Sequence, residues 1–200
     1  MYNVDWATYQ RLLFDLDGRH LRLNYDRGRL EIMTTSSRHG RWKKLLARFF
    51  EVLTEELNVP ILGLGSFTFQ REDLDRGLEP DECWYITHEP DVREREQIDL
   101  DTDPPPDLVV EIEVSRSVID RLGILGALGV PEIWRFDGNC LTVMRLTESG
   151  RYEACEQSPT FPQLPLAGLV EHLLRRGQTD ETSLIREFRS WVRETIISSP

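Results

Sequence analysis

Cysteine is scarce in this chain and never paired. Cys83, Cys140 and Cys155 lie far apart and form no CxxC, which argues against a zinc ribbon and against a disulfide framework. They are expected to be reduced and structural. Long apolar runs are missing as well, so nothing in the sequence reads as a membrane span. The start, MYNVDWATYQ, lacks the basic-then-apolar layout of a secretory signal, and the expected setting is therefore cytoplasmic, with no membrane partner. Internal repeats and low-complexity segments are also lacking. With 40% hydrophobic and 30% charged residues, the 200 residues read as one domain, 1–200, with a sizeable core.

Positive charge is the other shortage. Lys and Arg number 24 against 35 Asp and Glu, a formal net charge of −11, which at first sight speaks against a partner made of phosphates. The deficit is local. Residues 71–110 hold four basic against fourteen acidic side chains, whereas residues 1–70 hold ten against eight. Within that first segment, RHGRWKKLLAR sets Arg38, Arg41, Lys43, Lys44 and Arg48 along the first half of a helix. Taken alone, such a patch is more often an ordinary solvated face than a binding surface.

Periodicity supplies the elements. Helical spacing runs over 5–16, with Trp6, Tyr9, Leu12 and Leu13 on one face. RHLRLNYDRGRLEIMTT reads as a hairpin turning at Asp26-Arg27-Gly28. Ser36 and Ser37 are suited to cap a long amphipathic helix ending near Leu57. Short strands are expected at 60–64, 66–70 and 82–86, then a loop from His88 to Pro106, a strand over 107–115 and a helix over 117–128. Strands near 133–136, 141–146 and 152–155 follow, and helices 166–175 and 182–197 close the chain. This order makes a mixed α+β protein, an α/β core with a central mixed sheet flanked by helices. Leu184, Phe188 and Trp191 form an apolar stripe, so the 166–197 tail should dock on the body or on a second copy. A homodimer is the favoured form.

The strand DLVVEIEVS, 107–115, has five aliphatic residues among its nine, and two glutamates interrupt it. Alternation sends Leu108, Val110, Ile112 and Val114 to one face, and Asp107, Val109, Glu111, Glu113 and Ser115 to the other. The two carboxylates then lie about 7 Å apart and repel by roughly 2 kcal/mol at an effective dielectric of ~20. Basic side chains, solvent at a sheet edge or a divalent cation must compensate. Asp81, behind Pro80 in GLEPDECWYI, opens a neighbouring strand. An Asp at the start of one strand and a Glu inside the next can converge on one metal. Because like charges repel, neutralising Asp81 and Glu111 together should leave the metal-free fold as stable as before, or more so.

At these residues the chain resembles a family, the restriction-endonuclease-like proteins abundant in cyanobacteria, within the PD-(D/E)XK nuclease superfamily. YDRGRLEIM with His39 shortly after, FQREDLDRGLEPDECWYI, PPDLVVEIEVSRS, LGVPEIWRFDG and LIREFRSWVRE carry the resemblance, in the family's order. It implies a restriction-endonuclease-like core and a metal-dependent endonuclease that hydrolyses DNA phosphodiester bonds. It also implies Mg²⁺ or Mn²⁺ at Asp81 and Glu111, with the peptide carbonyl of Ile112 as third ligand. Glu113 stands where the superfamily pattern places lysine, and would be a further ligand or an outer group. The matching cation is Arg121, on the following helix. Arginine can stabilise phosphate charge but cannot deprotonate water. The catalytic candidates are thus Asp81, Glu111, Glu113 and Arg121.

Glu31, in LEIM, is an accessory candidate, with a solvent-facing hairpin role weighing equally. His39, Arg41 and Lys44 are candidates for holding a nucleic-acid phosphate at the start of the basic helix, although a lone histidine more often orients a helix start. Trp84 and Tyr85 read as core. Two rivals stand beside the enzyme: a catalytically inactive nuclease-fold module that binds nucleic acid or regulates, and a structural homodimer whose carboxylates are merely wet.

Overall fold

The structure is a computed structural model that describes residues 1–34, 36–113 and 117–198. Helix α1, Trp6–Asp15, starts at Asp5, whose carboxylate accepts the Thr8 amide. Strands β1, Arg22–Asp26, and β2, Arg29–Met33, form the expected hairpin. Its two-residue turn places Arg27 at φ 45° and Gly28 at φ 82°, the left-handed pair that matches strand twist and that glycine adopts freely. Helix α2, Ser37–Glu56, is capped by Ser36, whose hydroxyl accepts the His39 amide.

Four short strands follow: β3, Leu62–Gly63, β4, Phe69–Arg71, β5, Arg76–Leu78, and β6, Glu82–Tyr85. The stretch expected as a loop from 88 to 106 contains one turn of helix, α3, Glu89–Val92. Then come β7, Leu108–Ile112, α4, Arg121–Leu128, β8, Glu132–Phe136, β9, Leu141–Leu146, and β10, Tyr152–Cys155. Helices α5, Leu166–Leu174, and α6, Glu181–Val192, finish the chain, α6 running into a π turn over Arg193–Ile197. Two positions of the expected 107–115 strand, Val114 and Ser115, lie outside the described residues.

The strands make two sheets. A six-stranded mixed sheet has the order β10-β9-β8-β7-β6-β3, with β7 and β8 parallel and their neighbours antiparallel. A second, four-stranded antiparallel sheet has the order β2-β1-β5-β4. The parallel pair is joined through α4, the usual crossover for parallel strands.

Alternation on β7 is realised on both faces. Leu108, Val110 and Ile112 join Leu46, Phe49, Phe50 and Leu53 of α2 in one core, whereas Val109 joins Ile124, Leu125 and Ile133 in another. Trp84 stacks on Phe50 at 4.1 Å, and Tyr85 is fully buried, so both belong to the core. Helix α6 lies on α2, with the Phe188 ring stacked 4.1 Å from that of Phe49. Its apolar stripe is covered within the same chain, which removes the reason for expecting a two-fold interface there. A third cluster, Val4, Tyr9, Leu23, Tyr25 and Leu30, fills the space between α1 and the small sheet. Since Leu23 and Tyr25 face α1, the alternate residues Arg22 and Asn24 face the other way, toward the large sheet.

Candidate active site

The site lies where the small sheet meets the ends of β6 and β7. The β6–β7 register pairs Glu82 with Val110, and one further step sets Asp81 opposite Glu111. Both carboxylates are buried, at 1% and 5% exposure. Together with Arg22, His39, Glu113 and Arg121 they line a cavity of about 150 Å³, room for an ion and its waters but not for a whole nucleotide.

Asp81 is held by three elements. The Ile112 amide on β7 donates to its Oδ2 at 2.6 Å, His39 Nε2 on α2 lies 3.0 Å from the carboxylate, and Arg22 Nη1 on β1 makes a close ion pair. Burial acts to raise this carboxyl's pKa. The His39 hydrogen bond, the Arg22 charge and the Ile112 amide outweigh that and hold it below the ordinary aspartate range. Asp81 is therefore held as a carboxylate.

Glu111 is the opposite case. Arg121 Nη2 donates to both of its oxygens at 2.7 Å, yet burial, aided by the negative charge of Asp81, pushes its pKa up to about 7 against the pull of Arg121. The guanidinium of Arg121 is itself anchored: Nη1 donates to Asn24 Oδ1 at 2.8 Å and Nη2 to the Glu79 carbonyl at 3.0 Å. Asn24 is fully buried, and its amide nitrogen donates to Glu31 at 3.0 Å. Glu31 also receives the Ser117 hydroxyl at 2.7 Å and the Val118 amide at 2.8 Å. Burial raises the Glu31 pKa, but these donors and Arg121 bring it below the ordinary value. Glu31 thus ties the hairpin to the segment that leads into α4.

Glu113 sits one residue beyond β7 at the cavity mouth, its side chain 41% exposed and bound by Arg135 at 2.5 Å. The Ile112 amide is taken by Asp81, and its side chain belongs to the α2-facing core. Arg41 and Lys44 are exposed on α2, turned away from the carboxylates, while His39 is buried against Asp81 rather than set on the surface.

Arg22 and Asn24 were not among the sequence candidates. The signal that could have found them is the one that marked Glu111: polar residues at alternate positions of a strand whose other positions are apolar, here Arg22-Leu23-Asn24-Tyr25.

Could a metal fit? Among the described residues no three His, Cys, Asp or Glu side chains cluster at metal-ligand spacing. A hard divalent ion needs fewer, since one or two carboxylates plus waters suffice for Mg²⁺. Asp81 and Glu111 offer two buried carboxylates in one cavity, and Glu111 lacks enough positive charge to hold its pKa down. That donor set fits such an ion.

A family model, Uma2, described as "Putative restriction endonuclease", matches residues 6–174. No curated protein matches the sequence. Among solved structures, the crystal structure of a putative nuclease belonging to DUF820 from Anabaena variabilis ATCC 29413 superposes with a TM-score of 0.49 at 13% identity, over 85% of this chain and 90% of that one.

Proposed function

Since the chain belongs to the Uma2 family, we propose that it is a divalent-metal-dependent endonuclease that hydrolyses DNA phosphodiester bonds at the Asp81–Glu111 cavity. One observation carries the reading: two carboxylates, buried side by side at the ends of adjacent strands, share a small cavity with two arginines. Asp81, Glu111 and the carbonyl of Ile112 would hold Mg²⁺ or Mn²⁺, which supplies a Lewis acid for the phosphate and lowers the pKa of an attacking water.

The protein's own groups do the rest. Arg121, fixed by Asn24 and the Glu79 carbonyl, keeps its charge above Glu111 and can stabilise the extra negative charge of the phosphate in the transition state. Arg22 and His39 fix the Asp81 carboxylate. Glu113, tied to Arg135 at the mouth, lies near the place where a proton must leave.

The second reading, a nuclease-fold module without turnover, is favoured by the make-up of the cavity lining, which among the described residues includes Arg22 and Arg121 but no lysine. Incubation of supercoiled plasmid with Mn²⁺ or Mg²⁺ separates the two. The enzyme reading expects nicking by the wild type, none by Glu111→Gln or Asp81→Asn, and a loss of roughly one to three orders of magnitude for Arg121→Ala. Plasmid that stays supercoiled with the wild type, or is nicked equally by the carboxylate variants, overturns it.

A further inference from the structure

One turn along α2 from His39, the same helix face carries Trp42, 6% exposed. Its ring packs edge-on against Phe136 at 5.0 Å, and the Arg176 guanidinium lies over its other side, 3.9 Å from the ring centroid. Arginine stacks well on indole. Among the described residues two buried donors here find no acceptor, Trp42 Nε1 and Arg176 Nη1. A buried N–H left without a partner costs about 1–3 kcal/mol, so natural interiors rarely keep two together.

Gly138, in the β8–β9 turn, packs against this cluster. A methyl group built on that glycine would lie 3.6 Å from Arg38 Nη2 and 3.8 Å from Trp42 Nε1. Arg38 and the orphan indole N–H of Trp42 therefore approach the same backbone position, while Arg176 covers the face of the same ring. Arg38 and Arg41 are exposed on α2. Burial first, then the charges of Arg41 and Arg38, hold the Arg176 guanidinium below its ordinary pKa, and Glu181 alone opposes them. Glu181 is already paired with Arg48 at 3.4 Å. Among the described residues none of the three arginines has a carboxylate within ion-pair distance, in a protein with 35 acidic residues. Three cations, an orphan indole N–H and no counter-charge make a site built for an anion.

From this we infer that Arg38, Arg41, Arg176 and the Trp42 indole N–H form a phosphate-binding site that takes a backbone phosphate of the nucleic-acid strand cleaved at Asp81 and Glu111. The inference rests on the endonuclease reading for the source of the phosphate, and on the cluster alone for its chemistry. Exposed Arg38 lies beside the indole edge at Gly138 and can turn on its flexible stem, so that a phosphate oxygen reaches Trp42 Nε1. His39 and Trp42 are three residues apart, about 4.5 Å along the helix axis. The same helix thus sets one group against Asp81 and another against a neighbouring phosphate.

The test is binding, measured without cleavage. A fluorescein-labelled 20-bp duplex is titrated in Ca²⁺ across a range of salt, with anisotropy as readout, for wild type, Arg38→Gln/Arg41→Gln, Arg176→Gln, Trp42→Phe and Arg151→Gln. The last removes one exposed arginine at the far edge of the large sheet and controls for bulk charge. Expected are a loss of about tenfold or more for the double variant, a salt slope smaller by about 1, a few-fold loss for Trp42→Phe, and no change for Arg151→Gln. Arg38 and Arg41 are exposed, so the double variant should fold normally, and its thermal midpoint checks this.

A second arm adds inorganic phosphate to the same proteins. If the wild type binds no duplex but its midpoint rises with phosphate, and the double variant's does not, the anion site stands and the strand as its source is overturned. A double variant that matches the wild type in duplex affinity, salt slope and phosphate response overturns the inference outright. Normal duplex binding with the expected losses, in a protein that never cuts plasmid, would overturn the endonuclease reading and leave this site standing.

Discussion

Two neighbouring carboxylates are treated in opposite ways, so neutralising each one alone should move stability in opposite directions near pH 7. Asp81 is ionised and triply matched. Its folded pKa is depressed, so the stability it contributes is present above the unfolded value of 3.8 and is lost as pH falls through the lower folded one. Asp81→Asn takes away the close partner of buried Arg22 and leaves it only Glu79 at 3.4 Å, so it should cost about 3 kcal/mol at pH 7 by urea unfolding. Glu111 has the reverse sign. Its pKa rises from 4.5 to about 7, so the unfolded chain releases the proton first, and stability falls as pH climbs from 4.5 to 7. The wild type should lose on the order of 3 kcal/mol across that window relative to Glu111→Gln, read as the difference between the two proteins' thermal midpoints at each pH. A difference that does not change with pH would remove the claim that Glu111 is held partly neutral. The glutamates were legible because charge inside an apolar strand stands out. Arg22 and Asn24 were not, since the hairpin read as one face wet, and only the second sheet's position over the cavity makes that face buried.

Long elements announced themselves through caps and spacing, and the short ones did not. Ser36 before α2, Asp5 before α1 and the Arg27-Gly28 turn act locally, so sequence alone reveals them. Strand β5 went unread because Arg76-Gly77-Leu78 is three residues with a central glycine, too short to show alternation. Gly77 nevertheless matters, since any Cβ there would overlap the Tyr9 hydroxyl. With β5 unread, the four-stranded sheet could not be inferred either, because it joins β1 to β4. Helix α6 was read correctly as an apolar stripe needing cover, but the stripe alone could not say whose surface covers it. The answer is α2. Phe188 is fully buried on Phe49, while Arg189 and Arg193 pair with Glu56 at 2.5 and 2.6 Å. Phe188→Ala should therefore cost about 3–5 kcal/mol, seen in urea unfolding of a protein whose mass by light scattering does not change. A change in mass with little loss of stability would return the stripe to an intersubunit role.

Across the whole molecule, the site draws on β1, α2, β6, β7 and α4, elements spread from residue 22 to residue 121. Sequence patterning shows which face of each element is polar. It does not show that these faces meet, because the meeting depends on a second sheet folding over the ends of the first. The large mixed sheet, the flanking helices and the Asp81–Glu111 pair were accessible in advance, while the arginines that match those carboxylates were a matter of tertiary packing. Charge follows the same pattern. A net −11 conceals an island of Arg38, Arg41 and Arg176 beside an acidic cavity, and only the folded chain sets them side by side. The claim on which the rest depends is that Asp81 and Glu111 share one divalent ion. Thermal unfolding during a Mn²⁺ titration tests it most directly, for wild type and the Asp81→Asn/Glu111→Gln protein. At ten times Kd an ion bound only by the folded state adds about 1.4 kcal/mol, a rise of roughly 4 °C for a chain of this size. The expected result is that rise in the wild type and none in the double variant; equal shifts in the two proteins would contradict the claim.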